Sequence, residues 1–116
     1  MSPNKKLVQS YMDAFRRTDR PAILGCLTDD VQWWIPGAFD VRGKEAFNEH
    51  IVDPGFEGQP DITVDRMVEE NDVVVAEGKV SAPRSDGTVM KLVFCDVFEM
   101  RDAKIARLVS YLMQLG

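Results

Sequence analysis

The sequence predicts an α+β fold in which three N-terminal helices pack on the concave face of a cone-shaped, curved antiparallel sheet. Helical periodicity is confined to the first half of the chain, whereas long alternating segments of polar and apolar residues occupy the second half. Turn sequences at residues 70–72, 83–87 and 101–103 join these segments into consecutive hairpins. Helices that precede long hairpins are typical of folds in which the helices cover one face of a sheet.

Composition indicates a single domain spanning residues 1–116. The chain is 45% hydrophobic and 28% charged, which is ordinary for a soluble globular domain. Its net charge of −5 argues against nucleic acid and anionic membrane surfaces as partners. No apolar run approaches the roughly 20 residues of a membrane span, and no signal peptide is evident, so a cytoplasmic location is expected.

The cysteine and histidine residues indicate neither a disulfide framework nor a metal site. Cys26 and Cys95 lie in apolar surroundings without a CxxC spacing and are expected to be reduced thiols. His50 is the only histidine, and no cysteine or histidine cluster accompanies it. We therefore expect no metal and no cofactor.

Three helices are predicted at residues 5–17, 21–27 and 44–52. The first carries an apolar stripe with helical spacing. Asp19 can cap the second helix, and Pro21 suits its first turn, where no N–H group is needed. Asp53-Pro54-Gly55 is expected to end the third.

Five strands are predicted at residues 31–35, 62–69, 73–82, 88–100 and 104–113. Thr28-Asp29-Asp30 favours a turn before the first of them, and Pro36-Gly37 ends it. In the third strand, small residues share one face, which leaves room for a neighbouring segment or a ligand. These residues are Val74, Ala76, Gly78 and Val80.

The strand at residues 88–100 carries one unexpected acidic residue. Every second residue of a strand shares a face, so Asp96 is the only polar residue in a row of large apolar ones. Burial of a carboxylate is costly unless the group is paired or protonated. Asp96 could face a ligand pocket, bond a backbone N–H group, or pair with Arg107 on the last strand.

Four segments that together span most of the chain carry a family resemblance. They are Leu7-Val8-Gln9-Ser10-Tyr11-Met12-Asp13-Ala14-Phe15 with the following Asp19, Leu27-Thr28-Asp29-Asp30-Val31, Arg42-Gly43-Lys44-Glu45-Ala46, and Phe98-Glu99-Met100-Arg101-Asp102-Ala103-Lys104-Ile105. On these segments the chain resembles the nuclear transport factor two-like superfamily, which includes ketosteroid isomerase and the SnoaL-like polyketide cyclases. The resemblance implies a cystatin-like, ketosteroid isomerase-like fold, and this scaffold hosts many activities.

The resemblance also implies a pair of hydrogen-bond donors. Ketosteroid isomerases hold a dienolate oxygen with a tyrosine on the first helix and a protonated aspartic acid on a long strand, and the matching residues here are Tyr11 and Asp96. Their general base is an aspartate before a proline on the first strand, where this chain has Ile35. Because isoleucine cannot accept a proton, the base would have to be His50, water or the substrate itself.

Seven residues are expected to contact a bound ligand. They are Trp33, Ile35, Phe94, Phe98, Phe56, Met67 and His50. Trp33 shares its strand face with Ile35, while Phe94 and Phe98 share theirs with Asp96. The aromatic and methionine side chains could equally fill the core, and His50 could be solvated on a helix surface.

Three functions remain open from the sequence. The first is a cofactor-independent isomerase, cyclase or dehydratase that acts on a small apolar carbonyl compound through an enol-like intermediate. The second is non-catalytic binding of a small apolar molecule. The third is a protein-interaction module. Apolar residues on the outer sheet face predict a homodimer packed sheet to sheet, and they are Val73, Val75, Val93, Cys95 and Val97.

Overall fold

The computed structural model describes residues 2–52 and 55–115, which adopt the predicted α+β arrangement. The helices are α1 (Pro3–Arg16), α2 (Arg20–Leu24) and α3 (Lys44–Glu49). The strands are β1 (Leu27–Ile35), β2 (Phe39–Arg42), β3 (Asp61–Glu70), β4 (Val73–Pro83), β5 (Val89–Arg101) and β6 (Lys104–Gln114). The strands form one curved, unclosed sheet in the order β2-β1-β6-β5-β4-β3.

Local sequence explains where the first two helices begin. The Ser2 hydroxyl caps α1 by accepting a hydrogen bond from the Lys5 N–H group over 3.1 Å, and Pro3 occupies the first turn. Asp19 caps α2 in the same way, with the Ala22 N–H group 3.2 Å from its carboxylate. The predicted roles of Asp19 and of a proline in the first turn of α2 are therefore confirmed.

The sheet contains one parallel pair, which differs from the wholly antiparallel sheet that we expected. The strands from β3 to β6 are antiparallel sequence neighbours, as predicted. β1, however, runs parallel to β6, with Trp33 opposite Leu108. Residues 28–30 belong to β1 instead of forming a turn. They lie between Leu27 and Gln32, which both pair with β6, and the register shifts between these two residues. Tertiary pairing thus overrides the local turn preference.

Two further elements differ in extent from the prediction. β2, which is not among the five predicted strands, pairs antiparallel with β1. α3 ends at Glu49 instead of residue 52, and Arg20 donates to both the backbone and side-chain oxygens of Asn48 over 2.8 Å. The Asn48 carbonyl oxygen also accepts a hydrogen bond from the Ile51 N–H group over 3.3 Å, so Arg20 adds a second donor at the end of the helix. The predicted stop at residues 53–54 lies outside the described residues.

Gly78 permits a close approach of three strands. A Cβ atom at this position would overlap the carbonyl oxygen of Thr63 and would lie 2.7 Å from the Phe94 ring. Phe94 stands directly opposite on β5, and the register of β3 shifts between Val64 and Arg66. The space that was predicted beside this face of small residues is therefore occupied, next to Gly78, by the Phe94 ring.

Aromatic rings fill much of the space between the helices and the sheet. Phe47 and Phe98 are completely buried. Phe47 stacks on Trp33 with 4.3 Å between ring centroids, and Tyr11 meets Phe98 edge to face at 5.6 Å. These contacts hold Tyr11 and Trp33 in fixed positions toward the sheet. None of the helices in the described part of the chain is long and apolar enough to cross a membrane.

Candidate functional site

A cavity of about 880 Å³ lies between the helices and the inner face of the sheet. This volume is within the range of small-molecule sites, roughly 300–1,000 Å³. Aromatic and aliphatic side chains form most of its lining. The lining also contains carboxyl groups, hydroxyl groups and an imidazole, which belong to Tyr11, Thr18, Glu49, His50, Glu57, Asp96 and Ser110.

Asp96 lies in this cavity and is 8% exposed. β4 and β6 place Ala76 and Ser110 on either side of it. Its Oδ1 atom has no hydrogen-bond partner among the described residues. Burial raises the pKa of Asp96 to about 7, and a hydrogen bond from Ser110 acts in the opposite direction. Asp96 is therefore near half protonation at neutral pH and can either donate or accept a hydrogen bond.

The alternative pairing of Asp96 with Arg107 is wrong. Arg107 stands opposite Glu99 on the other face of the sheet, and its Nη1 atom lies 2.6 Å from the Glu99 carboxylate. Its Nε atom also donates to the Gln32 side chain over 3.3 Å. Successive residues of a strand point to opposite faces, so residues that are three positions apart lie on different faces. Arg107 therefore lies on the outer face of β6 and Ser110 on the inner face.

Tyr11 reaches the same cavity from α1. Its ring packs against Phe15, Phe47 and Phe98, with centroid distances of 5.7, 6.4 and 5.6 Å. Burial, followed by the nearby charge of Asp96, raises the pKa of Tyr11 well above its ordinary value of 10.0. The Tyr11 hydroxyl consequently stays protonated and keeps a hydrogen to donate. Tyr11 and Asp96 thus line one cavity and lie close enough for the charge of Asp96 to act on the Tyr11 hydroxyl.

His50 follows the last turn of α3 and is half-buried in the lining of the cavity. Its Nδ1 atom lies 2.9 Å from the carbonyl oxygen of Ala46, and its ring rests on Phe39 with 4.3 Å between centroids. A carbonyl oxygen only accepts, so the hydrogen sits on Nδ1. In the neutral ring, Nε2 is therefore the unprotonated atom and the potential proton acceptor.

Five of the seven predicted contact residues line the cavity, namely Trp33, Ile35, Phe56, Phe94 and His50. Met67 and Phe98 lie outside the lining, which corrects their expected place. Phe98 is completely buried beneath the Tyr11 ring. Met67 is half-buried on β3, where it lies opposite Ala76 of β4. Ligand contact by the other five stays a prediction.

Ser110 is a residue of the site that the sequence analysis missed. It lies directly opposite Asp96 on β6 and is 4% exposed. The Nε1–H group of Trp33 donates to its Oγ atom over 3.2 Å. A signal was present, because Ser110 falls between Leu108 and Leu112 on one strand face. This serine could be assigned to the site only once the register of β5 and β6 placed it opposite Asp96.

The cavity lining includes both acidic and apolar parts but lacks a metal site. Glu49 and Glu57, which are exposed, join Asp96 as carboxyl groups of the lining. None of the lining residues in the described ranges is lysine or arginine. Across residues 2–52 and 55–115, no cluster of three or more His, Cys, Asp or Glu side chains could hold a metal ion.

Solved structures with the same fold include proteins that are named for different activities. The LEH-like epoxide hydrolase of M. tuberculosis is 17% identical, with a TM-score of 0.84 over 96% of this chain and 83% of its own. TerC, co-crystallised with polyporic acid, is 24% identical, with a TM-score of 0.84 and coverage of 94% and 90%. A provisionally assigned polyketide cyclase of Xanthomonas campestris is 28% identical, with a TM-score of 0.79 and coverage of 94% and 89%. No curated protein matches the chain.

The sequence itself matches the family model described as the SnoaL-like domain over residues 8–108. This region contains Tyr11, Trp33 and Asp96 and ends just before Ser110. It covers most of the chain, and the structural neighbours agree with it in fold. The chain therefore belongs to the SnoaL-like domain family.

Proposed function

We propose that the protein binds a small, uncharged and mainly apolar molecule in the cavity and holds one polar atom of that molecule with Asp96 and Tyr11. The observation that carries this proposal is the Oδ1 atom of Asp96, which is buried and has no partner among the described residues. A buried polar atom without a partner costs free energy. A ligand group that bonds Oδ1 removes this cost and is thereby favoured.

The charge of the lining supports an uncharged ligand. Glu49, Glu57 and Asp96 contribute carboxyl groups, and the described lining has neither lysine nor arginine. A carboxylate or phosphate on the ligand loses its hydration and meets no cation in exchange. Trp33 and Phe94 add flat aromatic surfaces to the lining, which suit a ring-containing ligand.

The finer part of the proposal is catalysis without a cofactor, by isomerisation, cyclisation or dehydration through an enol. His50 Nε2 removes a proton from the carbon beside a carbonyl group, and the electron pair of that C–H bond forms the enolate double bond. Negative charge develops on the carbonyl oxygen, where the Tyr11 hydroxyl and protonated Asp96 donate hydrogen bonds. Each oriented donor contributes about 10²–10³-fold in comparable sites. The proton then returns from His50 to another carbon or to a leaving group.

Enolisation is tested by incubating the protein with apolar cyclic ketones in deuterium oxide and following the loss of α-proton signals by NMR. We expect wild-type protein to catalyse exchange, and Asp96→Asn and Tyr11→Phe each to slow it by about 10²–10³-fold. Glu99→Gln is the matched control, because Glu99 lies on the same strand as Asp96 but binds Arg107 on the outer face. Equal exchange by wild-type and Asp96→Asn protein would refute the catalytic role of Asp96.

Non-catalytic binding is the second candidate, and Ile35 favours it. Ile35 lines the cavity at the position where the family resemblance implies a general base, and it cannot accept a proton. Binding alone is measured by tryptophan fluorescence during titration with the same ketones. Trp33→Phe should remove the response and Trp34→Phe should keep it, because only Trp33 of the two lines the cavity. Saturable binding without deuterium exchange supports this candidate, whereas no binding contradicts both.

The homodimer expected from the outer sheet face stays a prediction. Tyr111 and Met113 are 50% and 68% exposed there, opposite Cys95 and Val93 on β5. Exposed apolar side chains on one sheet face suit an interface between two copies of the chain. Sedimentation equilibrium measures the state directly. Met113→Lys should shift a dimer toward monomer, and a monomeric wild-type protein would exclude the prediction.

A further inference from the structure

Ser110 interrupts an apolar inner face on β6. It is 4% exposed and lies between Leu108 and Leu112 on that face, directly opposite Asp96. A buried hydroxyl group is costly unless it forms hydrogen bonds, so its partners indicate its role. Its hydrogen-bond partner Trp33 and the facing residue Asp96 both belong to the cavity lining.

Two neighbours determine where the Ser110 proton points. The Trp33 Nε1–H group can only donate, and it lies 3.2 Å from Ser110 Oγ, which therefore accepts. The single proton of the hydroxyl remains available to Asp96, which lies directly opposite Ser110 across the strand pair. The Oδ1 atom of Asp96 has no hydrogen-bond partner in the described part of the chain, so the other carboxyl oxygen is the one that the Ser110 proton can reach.

We propose that Ser110 is a positioning residue of the site, which anchors one oxygen of Asp96 and so presents Oδ1 to the ligand. The inference rests on the proposed function for the ligand, but the anchoring exists before any ligand binds. A hydrogen bond donated to a carboxylate favours its charged form. Loss of the Ser110 hydroxyl therefore keeps Asp96 protonated to a higher pH.

Other ionisable groups near Asp96 are the same in every Ser110 variant. Tyr11 approaches from α1, and β4 presents only Ala76. The remaining groups are Cys95, the chain neighbour of Asp96, together with Glu49, His50 and Glu57 in the shared cavity. A difference in titration between wild type and a Ser110 variant thus reports on the serine hydroxyl.

The test is a titration of the Asp96 carboxyl carbon by NMR in ligand-free protein labelled with ¹³C-aspartate, with Asp96→Asn used to assign the signal. In Ser110→Ala the midpoint should rise by about one pH unit, a tenfold gain in proton affinity. Ser110→Thr keeps a hydroxyl and should stay close to wild type. Ser110→Cys has a similar size but a weak donor, and it should behave like Ser110→Ala.

An unchanged midpoint in Ser110→Ala, or an equal rise in Ser110→Thr, would overturn the inference. A merely structural serine would lower the thermal unfolding temperature of the variants without moving the Asp96 midpoint. If the midpoint rises as expected but no ketone binds, the proposed function fails and the anchoring role stands. If ketone exchange depends on Asp96 but the midpoint does not move, only the role of Ser110 fails.

Discussion

Replacement of Asp96 by asparagine should flatten the dependence of stability on pH between pH 5 and pH 7. Burial raises the pKa of Asp96 to about 7 in the folded protein, from an ordinary value of 3.8. Between these values the folded state binds one more proton than the unfolded state. The contribution of the Asp96 carboxyl to stability is therefore fully present below about pH 4 and is lost as the pH rises through about 7. Asparagine does not titrate, so Asp96→Asn removes this loss.

The magnitude follows from the two pKa values. They differ by about a thousandfold in proton affinity, which corresponds to about 4 kcal/mol at roughly 1.4 kcal/mol per tenfold. Part of this free energy is already lost at pH 5, so we expect the free energy of unfolding to fall by about 2 kcal/mol from pH 5 to pH 7. The steepest slope is about 1.4 kcal/mol per pH unit. Because Asp96 is only 8% exposed, solvent screens this effect little.

Urea unfolding at pH 5, 6, 7 and 8 measures the effect. With an m-value of about 1–2 kcal/mol/M, the wild-type midpoint should fall by about 1–2 M from pH 5 to pH 7, and that of Asp96→Asn by much less. Asp30→Asn is a control. Asp30 is exposed, and hydrogen bonds from Arg101 and Thr28 lower its pKa to about 2, so it titrates outside this window. Its curve should run parallel to that of the wild type from pH 5 to pH 8.

Parallel curves for wild type and Asp96→Asn would refute the reasoning. They would mean that the Asp96 carboxyl is hydrated or paired in the folded protein, so that its pKa is not raised. A neutral carboxyl donor near pH 7 would then have no basis, and the catalytic part of the proposed function would fall with it. Binding of an uncharged ligand through a charged Asp96 would survive, because a carboxylate still accepts hydrogen bonds.

Three other predictions test different parts of the molecule. Gly78→Ala should lower the free energy of unfolding, measured by urea denaturation, by at least about 2 kcal/mol, because the new methyl group overlaps the Thr63 carbonyl. A nearly neutral variant would contradict this packing. Ile35→Asp puts a proton acceptor in the cavity and should speed ketone exchange at least about tenfold, whereas an unchanged rate in a folded variant would argue against enolisation there. Because the pKa of Asp30 is lowered, its hydrogen bond with Arg101 stabilises the protein above about pH 4 and is lost toward pH 2. The stability of Asp30→Asn should therefore fall less steeply than that of the wild type as the pH is lowered. Identical acid-unfolding curves would exclude this role.

Local signals predicted the elements that depend on near neighbours in the chain. The caps of α1 and α2, the hairpins of β3 to β6 and the inward side of Asp96 all follow from capping residues and strand alternation. The parallel pairing of β1 did not follow, because residues 28–30 favour a turn in isolation. These residues lie between Leu27 and Gln32, whose partners on β6 come more than 70 residues later in the chain.

Site residues could be predicted where alternation along one strand showed which face they occupy. They were missed where the prediction needed the register between two strands. Asp96 stood out within its own strand, whereas Ser110 gained meaning only from its position opposite Asp96. Met67 lies opposite Ala76 but is not among the lining residues, which strand alternation alone did not show. Ile35 and Phe94 were placed correctly in the cavity lining from their strand faces.

The parallel pairing of β1 with β6 also sets the order in which the molecule can assemble. Trp33 and Ser110 are 77 residues apart, so the cavity cannot close until the ribosome has synthesised β6. Pairing over such a distance slows folding, because the entropy of loop closure is lost before the contacts form. Until then, nascent β1 and β2 expose an unpaired strand edge that can aggregate. We expect nascent chains that stop before β6 to bind chaperones, and chains that include β6 to be released from them.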